Sequence, residues 1–143
     1  MLRFPYLPDL AGTAVRWRPL TRVDVIGPTG RRRYKALFDP GSDESVFPIA
    51  IVRPLGVTLR PDTREKLRWR GQIYDLRFGD VELELTDNVS TYRWPARVGF
   101  STAPMPYVLL GYRGCLQFFD ATFRGAACVI EADANPAYPG TMK

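Results

Sequence analysis

Apolar and polar side chains alternate one for one over Val81-Glu82-Leu83-Glu84-Leu85-Thr86, the period of a strand with one wet face. Trp94, Ala96, Val98 and Phe100 repeat the pattern against Pro95, Arg97 and Gly99. Leu20 to Ile26 and Arg33 to Phe38 flank Gly27-Pro28-Thr29-Gly30 and predict a β-hairpin whose second strand runs directly into Asp39. Leu67-Arg68-Trp69 and Ile73 to Phe78 predict strands on either side of Arg70-Gly71-Gln72, and Gly79-Asp80 and Asp87-Asn88 read as the next two turns. Tyr107-Val108-Leu109-Leu110-Gly111 reads as a buried strand ended by glycine. A last hairpin, Ala121 to Phe123 with Ala127 to Glu131, turns at Arg124-Gly125.

Helical signals are few. Pro48 can open a helix at its first turn but Pro54 disfavours helix at Arg53, so one short turn is expected within 46–57. Tyr112 to Phe118 predicts a second short helix, Thr58 to Arg64 a loop, and Ser101 to Pro106 a Pro-rich link. Short strands joined by tight turns predict an all-β fold, a small closed β-barrel with one or two short helices. At 143 residues the chain is sized for a single domain: a Pro-punctuated arm over 1–13, a barrel core over 14–131 and a Pro/Gly tail over 132–143.

Composition narrows the chemistry. The chain has no histidine, which removes Ser–His and Cys–His catalysis and leaves acid–base work to carboxylates, Lys or Tyr. No metal or cofactor is expected. Cys115 and Cys128 are too few for a disulfide framework and sit among apolar neighbours, so both are expected as reduced core residues. The net charge of +5 is concentrated in Arg31-Arg32-Arg33-Tyr34-Lys35 and Arg64-Glu65-Lys66-Leu67-Arg68-Trp69-Arg70. A basic barrel binding nucleic acid is one role such runs allow, although the excess is modest and interleaved with acids. No apolar run approaches the roughly 18 residues needed to cross a bilayer. Met1 to Pro8 holds no uninterrupted apolar segment of signal-peptide length, so the expected location is the cytoplasm, with no membrane partner.

The candidate chemistry lies in Ala36-Leu37-Phe38-Asp39-Pro40-Gly41-Ser42-Asp43-Glu44-Ser45-Val46-Phe47-Pro48, where an apolar run delivers one carboxylate into a tight turn. Taken alone, Asp-Pro-Gly-Ser is also an ordinary β-turn sequence. Downstream, Val108-Leu109-Leu110-Gly111 is followed by Cys115-Leu116-Gln117-Phe118-Phe119-Asp120-Ala121-Thr122-Phe123. In this order the two segments resemble the paired signatures of retropepsin-like aspartic proteases, Asp-Thr/Ser-Gly-Ala/Ser and an apolar-apolar-Gly strand that packs beside it. The resemblance covers roughly residues 15–131.

The resemblance implies a retropepsin-type barrel and an aspartic endopeptidase. Two carboxylates close enough to share a proton titrate apart, so one acts as base and the other as acid. One Asp-x-Gly-Ser per chain implies a homodimer that contributes Asp39 twice, its chain ends interleaving to hold the pair. Asp39 would be the catalytic group and Pro40, Gly41 and Ser42 its loop. Gly41, Asp43 and the flap residues Arg70 and Gly71 would meet a peptide or protein substrate. Two positions depart from the pattern. Pro40 stands where the family carries Thr or Ser, and proline supplies neither N–H nor hydroxyl. Tyr112 stands where an Arg often follows the glycine, with Arg113 one residue late. The departure at Pro40 admits an alternative, a catalytically inactive barrel that binds peptides or dimerises.

Overall fold

The alternating residues of 72–86 form one strand of fifteen residues, and the rest of the barrel is built around it. The computed structural model describes residues 1–143, apart from the side chains of Ala11, Asp62 and Thr63. Among the described residues the chain runs as β1 (Leu2–Pro5), β2 (Leu7–Ala11), β3 (Ala14–Arg18), β4 (Leu20–Gly27), β5 (Gly30–Phe38), β6 (Val46–Pro48), β7 (Leu59–Trp69), β8 (Gln72–Thr86), β9 (Thr91–Ser101), β10 (Val108–Leu110), β11 (Phe119–Arg124), β12 (Val129–Ala134) and β13 (Thr141–Met142). Single 3₁₀ turns stand at Ile49–Ile51 and Leu116–Phe118. The molecule is all-β, and six strands close a barrel in the order β9-β6-β10-β5-β4-β8 and back to β9. Strand β8 carries the closure because it is long enough to serve several neighbours. Its first half pairs with β7, Glu82–Glu84 pairs with β4, and its other side pairs with β9 from Arg77 to Thr86.

The inward residues of these strands make the core. Phe47, Phe78, Leu83, Trp94, Val98 and Phe100 are fully buried. A second sheet, β1-β12-β11, covers the barrel and adds Leu2, Phe4, Ile130 and Phe119 to the same core. Phe119 meets Trp94 edge-on at 5.1 Å between ring centres, a geometry that adds to plain area burial. The ribbon β2-β3 forms a separate two-stranded sheet.

Several expectations are corrected here. Residues 58–64 are not a loop, since β7 begins at Leu59; Pro61 is tolerated because β7 is an edge strand with no ladder on its outer side. Gly79-Asp80 is not a turn, since β8 runs straight through it. Glycine is there for closeness: a Cβ at Gly79 would stand 2.8 Å from Val57 Cγ1 and 3.2 Å from Phe100 Cε2. The helix expected over Tyr112–Phe118 reduces to the single 3₁₀ turn at Leu116–Phe118. Cys115 is buried, but Cys128 is a half-buried turn residue with φ 52°, not a core residue. Both chain ends are paired within their own chain. Leu2–Pro5 pairs with Val129–Ala132, and Thr141–Met142 pairs with Tyr92–Arg93.

Candidate active site

Strand β5 ends by turning Ala36 and Phe38 into the core, and Phe38 packs on Phe4 at 5.9 Å between ring centres. The next residue, Asp39, therefore leaves the sheet from a fixed base. Strand β10 lies between β5 and β6, parallel to the first (Leu110↔Phe38) and antiparallel to the second (Leu109↔Val46). Residues 39–45 thus loop out of one strand and return by another with a third threaded between them. The Asp39 N–H donates to the Leu110 carbonyl at 3.0 Å and extends that ladder by one bond.

The loop is ordered by its own hydrogen bonds. The Gly41 N–H donates to Asp39 Oδ1 at 3.0 Å, and the Ser42 N–H donates to the Asp39 carbonyl at 3.1 Å, closing a tight turn. The Ser42 hydroxyl donates to the Glu44 carbonyl at 2.7 Å. The far side is tied to the segment after β10: Tyr112 N–H to Ser42 O at 2.9 Å and Arg113 N–H to Asp43 O at 3.0 Å. Gly111 permits this approach. A Cβ there would stand 2.2 Å from the Glu44 carbonyl oxygen and 2.6 Å from that of Ser42.

Ser45 is the hub of the arrangement. It is fully buried, its hydroxyl donates to the Arg113 carbonyl at 2.8 Å, and the same oxygen accepts the Gly111 N–H at 3.1 Å. Its carbonyl accepts the Gly99 N–H at 2.8 Å, which joins the loop to β9. A buried hydroxyl satisfied as donor and acceptor fixes a backbone far better than an apolar side chain could.

Beside the loop, the buried Glu44 pairs with Arg113, Nη1 to Oε1 at 2.5 Å. Burial holds the Glu44 carboxyl above its ordinary range, with Arg113 pulling it partway back. Asp43 is exposed. The acid of this loop that takes an arginine partner is Glu44, and the partner is Arg113. Glu44, Arg97, Tyr112, Arg113, Gln117 and Phe118 help to line a cavity of about 250 Å³.

The β7-β8 hairpin turns at Arg70 and Gly71, with φ of 49° and 79°, both in the left-handed region that a two-residue hairpin turn requires. The exposed Arg70 lays its guanidinium over Trp69, 5.4 Å from the ring centre. Lower in the hairpin, Leu67, Trp69, Leu76 and Phe78 join one apolar cluster with Val46, Leu109 and Leu37. The hairpin stem thus shares an apolar wall with the strands that hold Asp39.

The structure places Asp39, Pro40, Gly41, Ser42 and Asp43 on one loop and Arg70 and Gly71 at the tip of the hairpin. None of the hydrogen bonds of the Asp39 loop reaches that tip. Asp120 stands apart on β11, opposite Asp133. Sequence reasoning missed Ser45 and the Glu44–Arg113 pair, both of which depend on partners distant in sequence. No protein-family model matches this chain, and no curated protein matches it.

Proposed function

We propose that this chain is an aspartic endopeptidase of the retropepsin type, acting as a homodimer in which each copy supplies one Asp39. The observation that carries the reading is the placing of Asp39: one carboxylate at the head of a loop whose two strands are clasped by β10, with Gly111 pressed against the loop backbone. In the proposed reaction the two carboxylates share a proton and hold a water between them. One takes a proton from the water as it attacks the peptide carbonyl, and the other protonates the carbonyl oxygen. A substrate would lie extended beneath the β7-β8 hairpin, held by main-chain hydrogen bonds and by side chains in alternate pockets. Gly41 is exposed and offers its backbone without a side chain in the way.

Pro40 bears on this reading directly. It can give no support across the dimer axis, but the Asp39 carboxylate already accepts the Gly41 N–H within its own chain. The reading tolerates Pro40 on that ground. The second reading, a peptide-binding or dimerising barrel without hydrolysis, is favoured by the same residue. The nucleic-acid alternative gains little, because Arg31, Arg33, Lys66, Arg93 and Arg124 each pair with a carboxylate of the chain.

The test is peptide cleavage across acid pH. The wild type is expected to show a bell-shaped, pepstatin-sensitive profile. Asp39→Asn should abolish it while leaving the fold intact, since the amide oxygen can still accept the Gly41 N–H. Unchanged cleavage by Asp39→Asn refutes the mechanism. Absence of cleavage in the wild type, restored by Pro40→Thr, selects the second reading.

A further inference from the structure

The ribbon β2-β3 is built inside out. Its register sets Pro8 opposite Trp17 and Leu10 opposite Val15, so these side chains share one face. All are exposed, Leu10 by 74%, Trp17 by 58% and Val15 by 54%. The other face carries Leu7, Asp9 and Arg18, which are half-buried. There Arg18 pairs with Asp9 at 3.1 Å, and Leu7 shares a cavity of about 270 Å³ with Leu20 of β4. The charged face thus leans on the barrel and the apolar face meets solvent. A two-stranded ribbon draws little stability from itself, and nothing in its own folding calls for a wet apolar face.

Cations without acids stand beside that face. Arg22 of β4 lies directly opposite Lys35 of β5, like charge against like charge, an arrangement that costs stability until an anion joins it. Lys35 Nζ lies 3.5 Å from the Pro8 carbonyl oxygen, which puts this pair at the base of the ribbon. Their neighbours Arg18, Arg31 and Arg33 each have a carboxylate partner. Among the described residues no carboxylate pairs with Arg16, Arg22 or Lys35.

We propose that the β2-β3 ribbon docks this protein on an anionic lipid surface. Pro8, Leu10, Val15 and Trp17 enter the boundary between headgroups and acyl chains, and Arg16, Arg22 and Lys35 meet the headgroups. Tryptophan suits that depth, with an apolar ring and one N–H for the wet side. The net charge of +5 draws the whole chain toward such a surface. A protein partner fits less well. A specific protein interface takes roughly 20–30 residues a side, and the ribbon offers four apolar side chains. A bilayer demands no matching shape, and its hold grows with apolar area and basic charge.

The expectation of no membrane partner rested on segments able to cross a bilayer. Among the described residues no helix is long and apolar enough to cross one, and a contact in the surface plane needs none. Docking of this kind is independent of Asp39 and of the peptidase reading.

Co-sedimentation of the full chain with vesicles tests the proposal, using phosphatidylcholine alone or mixed with phosphatidylglycerol. The wild type is expected to bind the mixed vesicles, more weakly as salt is added. Trp17→Glu should weaken binding at least about tenfold, since it replaces a large apolar group by a charge. Arg22→Gln and Lys35→Gln should each weaken it about fivefold. These side chains are exposed, so circular dichroism should not change. Should Trp17→Glu not fold, the two glutamine variants decide. A wild type that sediments with neither kind of vesicle at low salt overturns the proposal and leaves the apolar face to a protein. Binding that the folded variants leave as tight as the wild type overturns the ribbon as the contact. Equal binding to both kinds of vesicle overturns the choice of an anionic surface.

Discussion

Gly111→Ala isolates the contact on which the Asp39 loop depends. The added methyl would sit 2.2 Å from Glu44 O, 2.6 Å from Ser42 O and 2.7 Å from Glu44 C, all backbone atoms. Carbon and carbonyl oxygen settle at about 3.3–3.6 Å, so the loop must retreat by about 1 Å. Overpacking of this kind costs about 1–3 kcal/mol. For a chain of 143 residues that corresponds to a fall in melting temperature of about 3–12 °C. A displacement of about 1 Å at a catalytic group costs on the order of a hundredfold in rate. Thermal unfolding followed by circular dichroism measures the first effect and peptide cleavage the second. Gly125→Ala is the control, since a Cβ there meets nothing within 4 Å. If Gly111→Ala melts with the wild type while this control behaves alike, the clasp of β10 on the Asp39 loop is not what holds it.

Arg113→Met removes the partner of the buried Glu44 and should destabilise the fold by about 1–3 kcal/mol at neutral pH. Glu44 binds its proton more tightly folded than unfolded, so its contribution to stability is greatest below its ordinary value of 4.5 and declines as pH rises above it. Arg113→Met should steepen that decline, and urea midpoints that run parallel to those of the wild type across the range would contradict it. Arg70→Asn puts a residue more tolerant of φ 49° at the hairpin tip and should stabilise by about 0.5 kcal/mol. A raised KM in the same variant would place the Arg70 side chain on the substrate, and an unchanged KM would confine it to the turn.

The second half of β8, Val81–Thr86, and the stretch Tyr92–Val98 of β9 were legible because inward apolar residues alternate there with wetter neighbours. Asp39 was legible for the same reason: its setting is local, a strand end, a turn and a returning strand. What was hidden depends on partners distant in sequence. Gly79 carries the same letter whether it bends the chain or lets Val57 and Phe100 come close. The strand character of 59–64 is hidden by Pro61 and by charges that suit an edge. Nothing near Leu2 foretells its place opposite Ala132, and Ser45 looks like any small polar loop residue until its bonds to Gly111, Arg113 and Gly99 are seen.

The pairing of both termini within one molecule has a consequence for how such a peptidase would be governed. In the proposed dimer, a subunit whose two ends are already paired within itself would stay folded when alone, as a resting form. Dilution would then silence cleavage without unfolding anything, and recovery would need only encounter, at a rate rising with the square of protein concentration. Abundance itself would be the switch.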